Sequence, residues 1–186
     1  MLNIYYLINY IMEKGLVHVY TGEGKGKTTS SVGLGVRAIS HGLKVCYSYF
    51  SKSPSLYGVT EVDTLKKLGV TIMGADSPHP SFSLNTTSKR HSQITKDSFN
   101  NLKQLIFQED FDMLIMDEIL ISVSQNFIKE EDLIDFINNK PEKLELVMTG
   151  RNASEALIEL ADYVSYIGMM KHPYERGIES RAGIEY

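Results

Sequence analysis

Apolar and polar positions along this chain alternate between two periods, and the switches between them predict the order of elements. Gly15–Tyr20 (GLVHVY) reads as a strand, Lys27–Ser40 as a helix, and Lys44–Phe50, rich in β-branched and aromatic residues, as a second strand. These three already form a βαβ unit. A short helix at Glu61–Lys67, a strand at Val70–Met73, a polar loop at Gly74–Thr87 and a long helix at Lys89–Gln108 follow. In the long helix Ile94, Leu102, Leu105 and Ile106 share one face, while Lys96, Asp97 and Lys103 supply the wet side. Met113–Met116 reads as a buried strand, Glu130–Asn138 as a helix with Lys129–Asp132 as its charged start, and Leu144–Met148 as a strand. Ala153–Leu160 closes the helices and Tyr163–Ile167 the strands. The alternation predicts an α/β fold, a mostly parallel sheet flanked by helices on both faces.

Composition narrows the class. A chain of 186 residues, 42% hydrophobic and 23% charged, has the profile of a globular domain that can bury its own core without disulfides or structural metal. Residues 14–186 are expected to form a single domain, because no repeat, low-complexity tract or compositional break interrupts them. The single Cys46 lies in an apolar stretch and reads as a small buried hydrophobe in a reducing, cytoplasmic compartment. A net charge of -4 with no basic stripe argues against nucleic acid as a partner. Residues 1–13 are an N-terminal extension. Its apolar part, Met1–Ile11, is too short to span a membrane and lacks the basic start and small-residue cleavage site of a secretory signal. It reads either as an upstream start foreign to the native protein or as a short docking helix. His18, His41, His79 and His91 show no pairing pattern and are read as structural. The loop at 74–87 is long for a compact domain, which marks it as functional.

The chemistry concentrates in Tyr20-Thr-Gly-Glu-Gly-Lys-Gly-Lys-Thr-Thr29, which leaves a predicted strand and enters a predicted helix. Glycines allow consecutive N–H groups to turn toward phosphate oxygens, and the helix N-terminus adds its positive dipole. Lys27 contributes a point charge and Thr28 a hydroxyl for Mg²⁺. Gly22, Glu23, Gly24, Lys25, Gly26, Lys27, Thr28 and Thr29 are therefore the candidate nucleotide-binding residues. The loop is a variant, because Thr21 stands six positions before Lys27 where glycine is usual. Farther on, Phe111–Glu118 is an apolar strand ending in two carboxylates, and Asp117 and Glu118 join Thr28 as candidate metal ligands.

Four further stretches carry a resemblance. They are Gly33–Ala38 (GLGVRA), Glu145–Arg151 (ELVMTGR), Leu157–Asp162 (LIELAD) and Lys171–Tyr186 (KHPYERGIESRAGIEY). With the short phosphate loop, their order and spacing resemble the P-loop-type ATP:corrinoid adenosyltransferases over Lys14–Tyr186. The resemblance implies a P-loop NTPase-like (RecA-like) domain that is homodimeric and uses ATP as co-substrate with Mg²⁺. It also implies a reduced corrinoid as substrate and an electron donor that reduces Co(II). Co(I) would attack the 5′ carbon of ATP and triphosphate would leave, so no protein nucleophile is required. The catalytic set is then Lys27, Thr28 and Glu118. Arg37 and Arg151 match family positions near the phosphates, Lys171 and His172 would contact ATP or corrinoid, and Phe82 and Leu84 would form an apolar wall beneath the corrin. Two departures stand in the middle of the chain: Tyr49 where the family favours Gln, and Leu84 where it carries Trp. They motivate a second reading, a non-catalytic ATP- or corrinoid-binding paralogue. A P-loop phosphotransferase or ATPase on another substrate is a third.

Overall fold

The computed structural model describes residues 14–52, 60–76 and 88–185. The chain runs β1 (Val17–Thr21), α1 (Lys27–Ser40), β2 (Val45–Lys52), α2 (Thr60–Lys67), β3 (Thr71–Asp76), α3 (Ser88–Gln108) and β4 (Met113–Asp117). It continues through α4 (Ile119–Ser124), α5 (Glu130–Asn139), β5 (Glu145–Thr149), α6 (Glu155–Leu160) and β6 (Tyr163–Tyr166), then a 3₁₀ turn at Pro173–Arg176. The strands form a six-stranded sheet in the order β3-β2-β4-β5-β1-β6, with every pairing parallel.

Side chains alternate across the sheet, and each face carries its own core. Val17, Val19, Cys46, Phe50, Leu114, Met116, Leu146 and Met148 point to one face, where Leu102 and Ile106 of α3, Phe136 of α5 and Leu157 of α6 cover them. Val45, Tyr47, Met113, Ile115 and Val147 point to the other, covered by Ala38 of α1 and Leu65 of α2. Each aliphatic side chain so buried contributes about 1.5–3 kcal/mol, and this double covering selects the parallel arrangement. Cys46 is buried in the first cluster, and burial pushes its thiol up to about 12, as expected of a packing residue.

Helix α1 lies close to the sheet because its buried stripe is small: Ser31, Gly35 and Ala38 follow Lys27 at helical spacing. A Cβ added at Gly35 would stand 3.0 Å from Ile115 Cδ1. The last helix begins at Glu155 rather than Ala153, because the Ser154 side chain caps it by accepting from the Leu157 N–H at 3.2 Å. Strand β3 takes up Gly74–Asp76, the start of the predicted loop. The rest of that loop, with Phe82 and Leu84, lies outside the described residues, as do Met1–Ile11 and His79.

The expectation that His18 is unpaired is corrected. At the end of the sheet away from the phosphate loop, His18 Nε2 meets Glu145 Oε1 at 2.6 Å and its ring stacks on Tyr163 with centroids 4.5 Å apart. Glu145 also accepts from the Leu16 N–H at 2.7 Å, and Asp162 accepts from the Val17 N–H at 2.8 Å. Burial works to raise the Glu145 carboxyl, but the His18 hydrogen bond and the Leu16 N–H outweigh it and hold it below the usual range.

Candidate functional site

All strands being parallel, their C-terminal ends share one edge of the sheet, where α/β folds place their ligands. The loop after β1 turns there through Gly22 and Gly26, both with positive φ. Gly22 has no room for a side chain, since a Cβ would stand 2.5 Å from the Ile167 carbonyl oxygen beyond β6. That carbonyl accepts from the Gly24 N–H at 2.7 Å, which fixes the loop against the last strand. Lys27 is buried, and its ammonium donates to the Gly22 and Gly24 carbonyls at 2.6 and 2.8 Å, spanning the loop from inside. Burial lowers its pKa, opposed by the charge of Glu118.

Strand β4 does not adjoin β1, because β5 lies between them. Helix α1 packs against β4, so Thr28 in its first turn reaches the carboxylate at the end of that strand. Thr28 Oγ1 donates to Asp117 at 3.0 Å. The fully buried Asp117 also accepts from Thr149 Oγ1 at 2.6 Å, from Tyr47 Oη at 2.9 Å, and from the Lys52 ammonium. Burial would raise its pKa, but the charge and hydrogen bond of Lys52, with the Thr149 and Tyr47 hydroxyls, hold it below the ordinary carboxylate range. Tyr47 responds in the opposite sense, its hydroxyl pushed well up by burial and by Asp117.

Glu118 stands in the left-handed region at φ 62 and caps α4, an uncommon backbone for a non-glycine residue. Its N–H donates to Thr149 Oγ1 at 2.9 Å. Its Oε2 is buried without a partner, and burial, then the charge of Asp117, push its pKa up to about 7. An unpartnered buried carboxylate oxygen beside a threonine hydroxyl and a second carboxylate fits Mg²⁺. That ion binds one or two carboxylates and takes its remaining ligands from phosphate and water. Among the described residues no group of three His, Cys, Asp or Glu side chains is placed to hold a metal by itself.

A cleft of about 610 Å³ opens over these groups. Phosphate-loop residues Glu23–Thr29, Val32 and Val36 of α1, and Glu61, Thr64 and Leu65 of α2 line it. Arg151, at the end of β5, lines it and pairs with Glu23 at 3.2 Å. His172 lines it as well, its Nδ1 accepting from the Tyr174 N–H at 3.2 Å. The C-terminal segment folds back over the loop, where Lys25 Nζ donates to the Ile184 carbonyl at 2.7 Å.

Not every candidate converges there. Arg37 is exposed in the last turn of α1, about 15 Å along the helix axis from Lys27 at 1.5 Å per residue, and does not line the cleft. Lys171 is exposed and also outside the lining. Tyr49, where the family favours Gln, packs on the second core cluster with its ring against Gly74 and does not line the cleft. Lys52, Tyr47 and Thr149 are not singled out by the sequence pattern, and Glu61, the predicted start of a short helix, lines the cleft 3.8 Å from Lys52. The available signal for Lys52 was its place as a charged residue ending an apolar strand, at the sheet edge that binds ligands.

The chain as a whole is similar to known proteins. Residues 13–186 match the family described as ATP:corrinoid adenosyltransferase BtuR/CobO/CobP. The chain is 33% identical over 176 residues to a corrinoid adenosyltransferase of Sinorhizobium sp., covering 94% of this chain and 81% of that protein. It is 29% identical over 175 residues to the corrinoid adenosyltransferase of Escherichia coli K12, covering 94% and 87% respectively. The corrinoid adenosyltransferase CobA of Salmonella typhimurium shows the same identity over the same length. With the phosphate loop, Glu118 and residues of the C-terminal segment lining one cleft and a family match over residues 13–186, this chain belongs to the ATP:corrinoid adenosyltransferase family.

Proposed function

We propose that this corrinoid adenosyltransferase holds ATP with its triphosphate along Gly22–Thr29 and presents the 5′ carbon to a reduced corrinoid. Co(I) of the substrate attacks that carbon. The new Co–C bond takes both electrons from cobalt, the C5′–O bond breaks, and its electron pair leaves with inorganic triphosphate. An external one-electron donor is needed to bring Co(II) to Co(I). The observation that carries the reading is the meeting of the phosphate loop with the unpartnered Glu118 oxygen in one cleft.

Because cobalt is the nucleophile, the protein's task is positioning and charge neutralisation. Lys27 leaves the Gly22 and Gly24 carbonyls for the triphosphate, whose developing charge it then stabilises. Thr28, Glu118 and Asp117 would hold Mg²⁺, which neutralises part of the triphosphate charge when bound. Arg151 exchanges Glu23 for phosphate oxygens, a charge-assisted contact stronger than its exposed ion pair. His172 and Lys25 border the nucleotide, whereas Arg37 and Lys171 stand outside this cleft. Phe82 and Leu84 remain the candidates for the wall under the corrin. A homodimer fits the surface, because edge strand β6 exposes Tyr163, Val164 and Tyr166. Among the described residues no helix is long and apolar enough to cross a membrane.

The test is anaerobic incubation with ATP, Mg²⁺ and chemically reduced cob(I)alamin, following loss of the Co(I) absorbance and assaying triphosphate. Adenosylated corrinoid with triphosphate and no ADP is expected. ADP with phosphate would instead identify a phosphotransferase or ATPase, and ATP binding without product a non-catalytic paralogue.

A further inference from the structure

Lys52 is a cation already placed in a site built for one. Its ammonium donates to Thr28 Oγ1 at 3.2 Å and to Asp117 Oδ2, and it stands 3.8 Å from Glu61 Oε1. Thr28 gives its own proton to Asp117 and accepts from Lys52, so the ammonium already takes up acceptor capacity of the oxygen that a metal would use. The placement is built into the backbone. Strand β2 shifts register between Tyr49 and Lys52, and Ser51 within that irregularity adopts φ 51, a left-handed conformation that non-glycine residues rarely take. The Ser51 hydroxyl is tied to Ser122 Oγ of α4 at 3.1 Å, which holds the irregularity in place. A fully buried carboxylate such as Asp117 needs a compensating charge at all times, and Lys52 is the cation in contact with it.

We propose that Lys52 is an internal stand-in for the divalent ion. In the nucleotide-free protein it occupies the ligand positions of Thr28 and Asp117, and it yields them to the metal only when ATP arrives. Glu61, on the far side of the ammonium, receives it on displacement. Metal and nucleotide then bind as an obligate pair, because the metal alone would have to expel a cation with no added negative charge to compensate. This inference rests on the reading that a divalent ion joins ATP at Thr28, and it adds to that reading the order in which the two bind.

Mn²⁺ binding followed by electron paramagnetic resonance, without any corrinoid, separates the two ideas. Wild-type protein should bind Mn²⁺ weakly alone and tightly with ATP. Lys52→Met should tighten binding of Mn²⁺ alone by about tenfold or more, the scale of removing one competing charge at short range. Lys52→Gln, which keeps a hydrogen-bond donor for Asp117, should act in the same direction and serves if the methionine variant does not fold. Unchanged or weaker Mn²⁺ binding in a folded variant would overturn the role of Lys52 while leaving the metal reading intact. No Mn²⁺ binding to the wild type even with ATP would overturn both. In wild-type protein labelled with ¹⁵N-lysine, Mg·ATP should shift or abolish the Lys52 ammonium resonance and ATP with EDTA should leave it. Its persistence under Mg·ATP would likewise overturn the exchange.

Discussion

At the scale of single residues the proposed mechanism divides the site into groups that would meet the nucleotide and groups that hold those groups still. Lys27 belongs to the first. Lys27→Ala should lower turnover on the order of 100-fold or more by removing charge stabilisation at the leaving triphosphate, measured by the rate of Co(I) absorbance loss. Near-normal turnover would displace the phosphate loop from the mechanism. Thr149 belongs to the second group, since its hydroxyl donates to Asp117 and accepts from the Glu118 N–H. Thr149→Val keeps the shape and strands both partners, so urea denaturation should report a loss of about 1–3 kcal/mol. The first group was legible in the chain because glycines, lysine and threonine at fixed spacing are a local pattern. Thr149, Tyr47 and Lys52 were not, since each becomes functional only through contact with Asp117, 32, 70 and 65 residues away.

Elements show the same division. Helix α1 has the bounds that its periodicity predicts, and its two glycines look alike on paper. In the structure Gly33 has nothing within 4 Å of an added Cβ, whereas Gly35 faces Ile115. Gly33→Ala should therefore stabilise the fold by about 0.5–1 kcal/mol through helix propensity. Gly35→Leu should cost about 1–3 kcal/mol by forcing α1 off the sheet. Thermal or urea unfolding of the pair checks both signs, and equal effects would show that α1 does not press on β4. Helix α4 is the element that local pattern missed. Its residues, ILISVS, favour strand by propensity, but Ile119–Ser122 are buried and Glu118 turns the chain through a left-handed residue directly after β4. Tertiary packing overrides propensity there, and the same turn leaves the Glu118 oxygen free for a ligand.

Across the whole molecule the two ends of the sheet do different work. The end bearing the phosphate loop carries unpartnered and strained groups, while the opposite end is tied by Glu145, Asp162 and Lys140, whose ammonium donates to the Gly15 and Leu144 carbonyls. The folded pKa of Glu145 lies below its unfolded value, so the unfolded chain binds more protons as pH falls. Its contribution is complete above about pH 4.3, the ordinary glutamate value, and is lost as pH drops through the lower folded value. Glu145→Gln should accordingly destabilise the protein at pH 7 by about 1 kcal/mol after solvent screening, with the gap to wild type closing toward pH 3 in urea titrations. A gap independent of pH would remove the ionic role. The sequence by itself determined the alternation of strands and helices, the parallel sheet, the phosphate loop and the family resemblance, because hydrophobic period and glycine spacing are local properties of a chain. Only the tertiary structure decided that β5 separates β1 from β4, that Arg37 stands away from the cleft, and that Lys52 fills the cation position beside Asp117. Strand order and a buried charge's partner are chosen by long-range packing and by the cost of leaving a carboxylate uncompensated, and neither is written in any short stretch of residues.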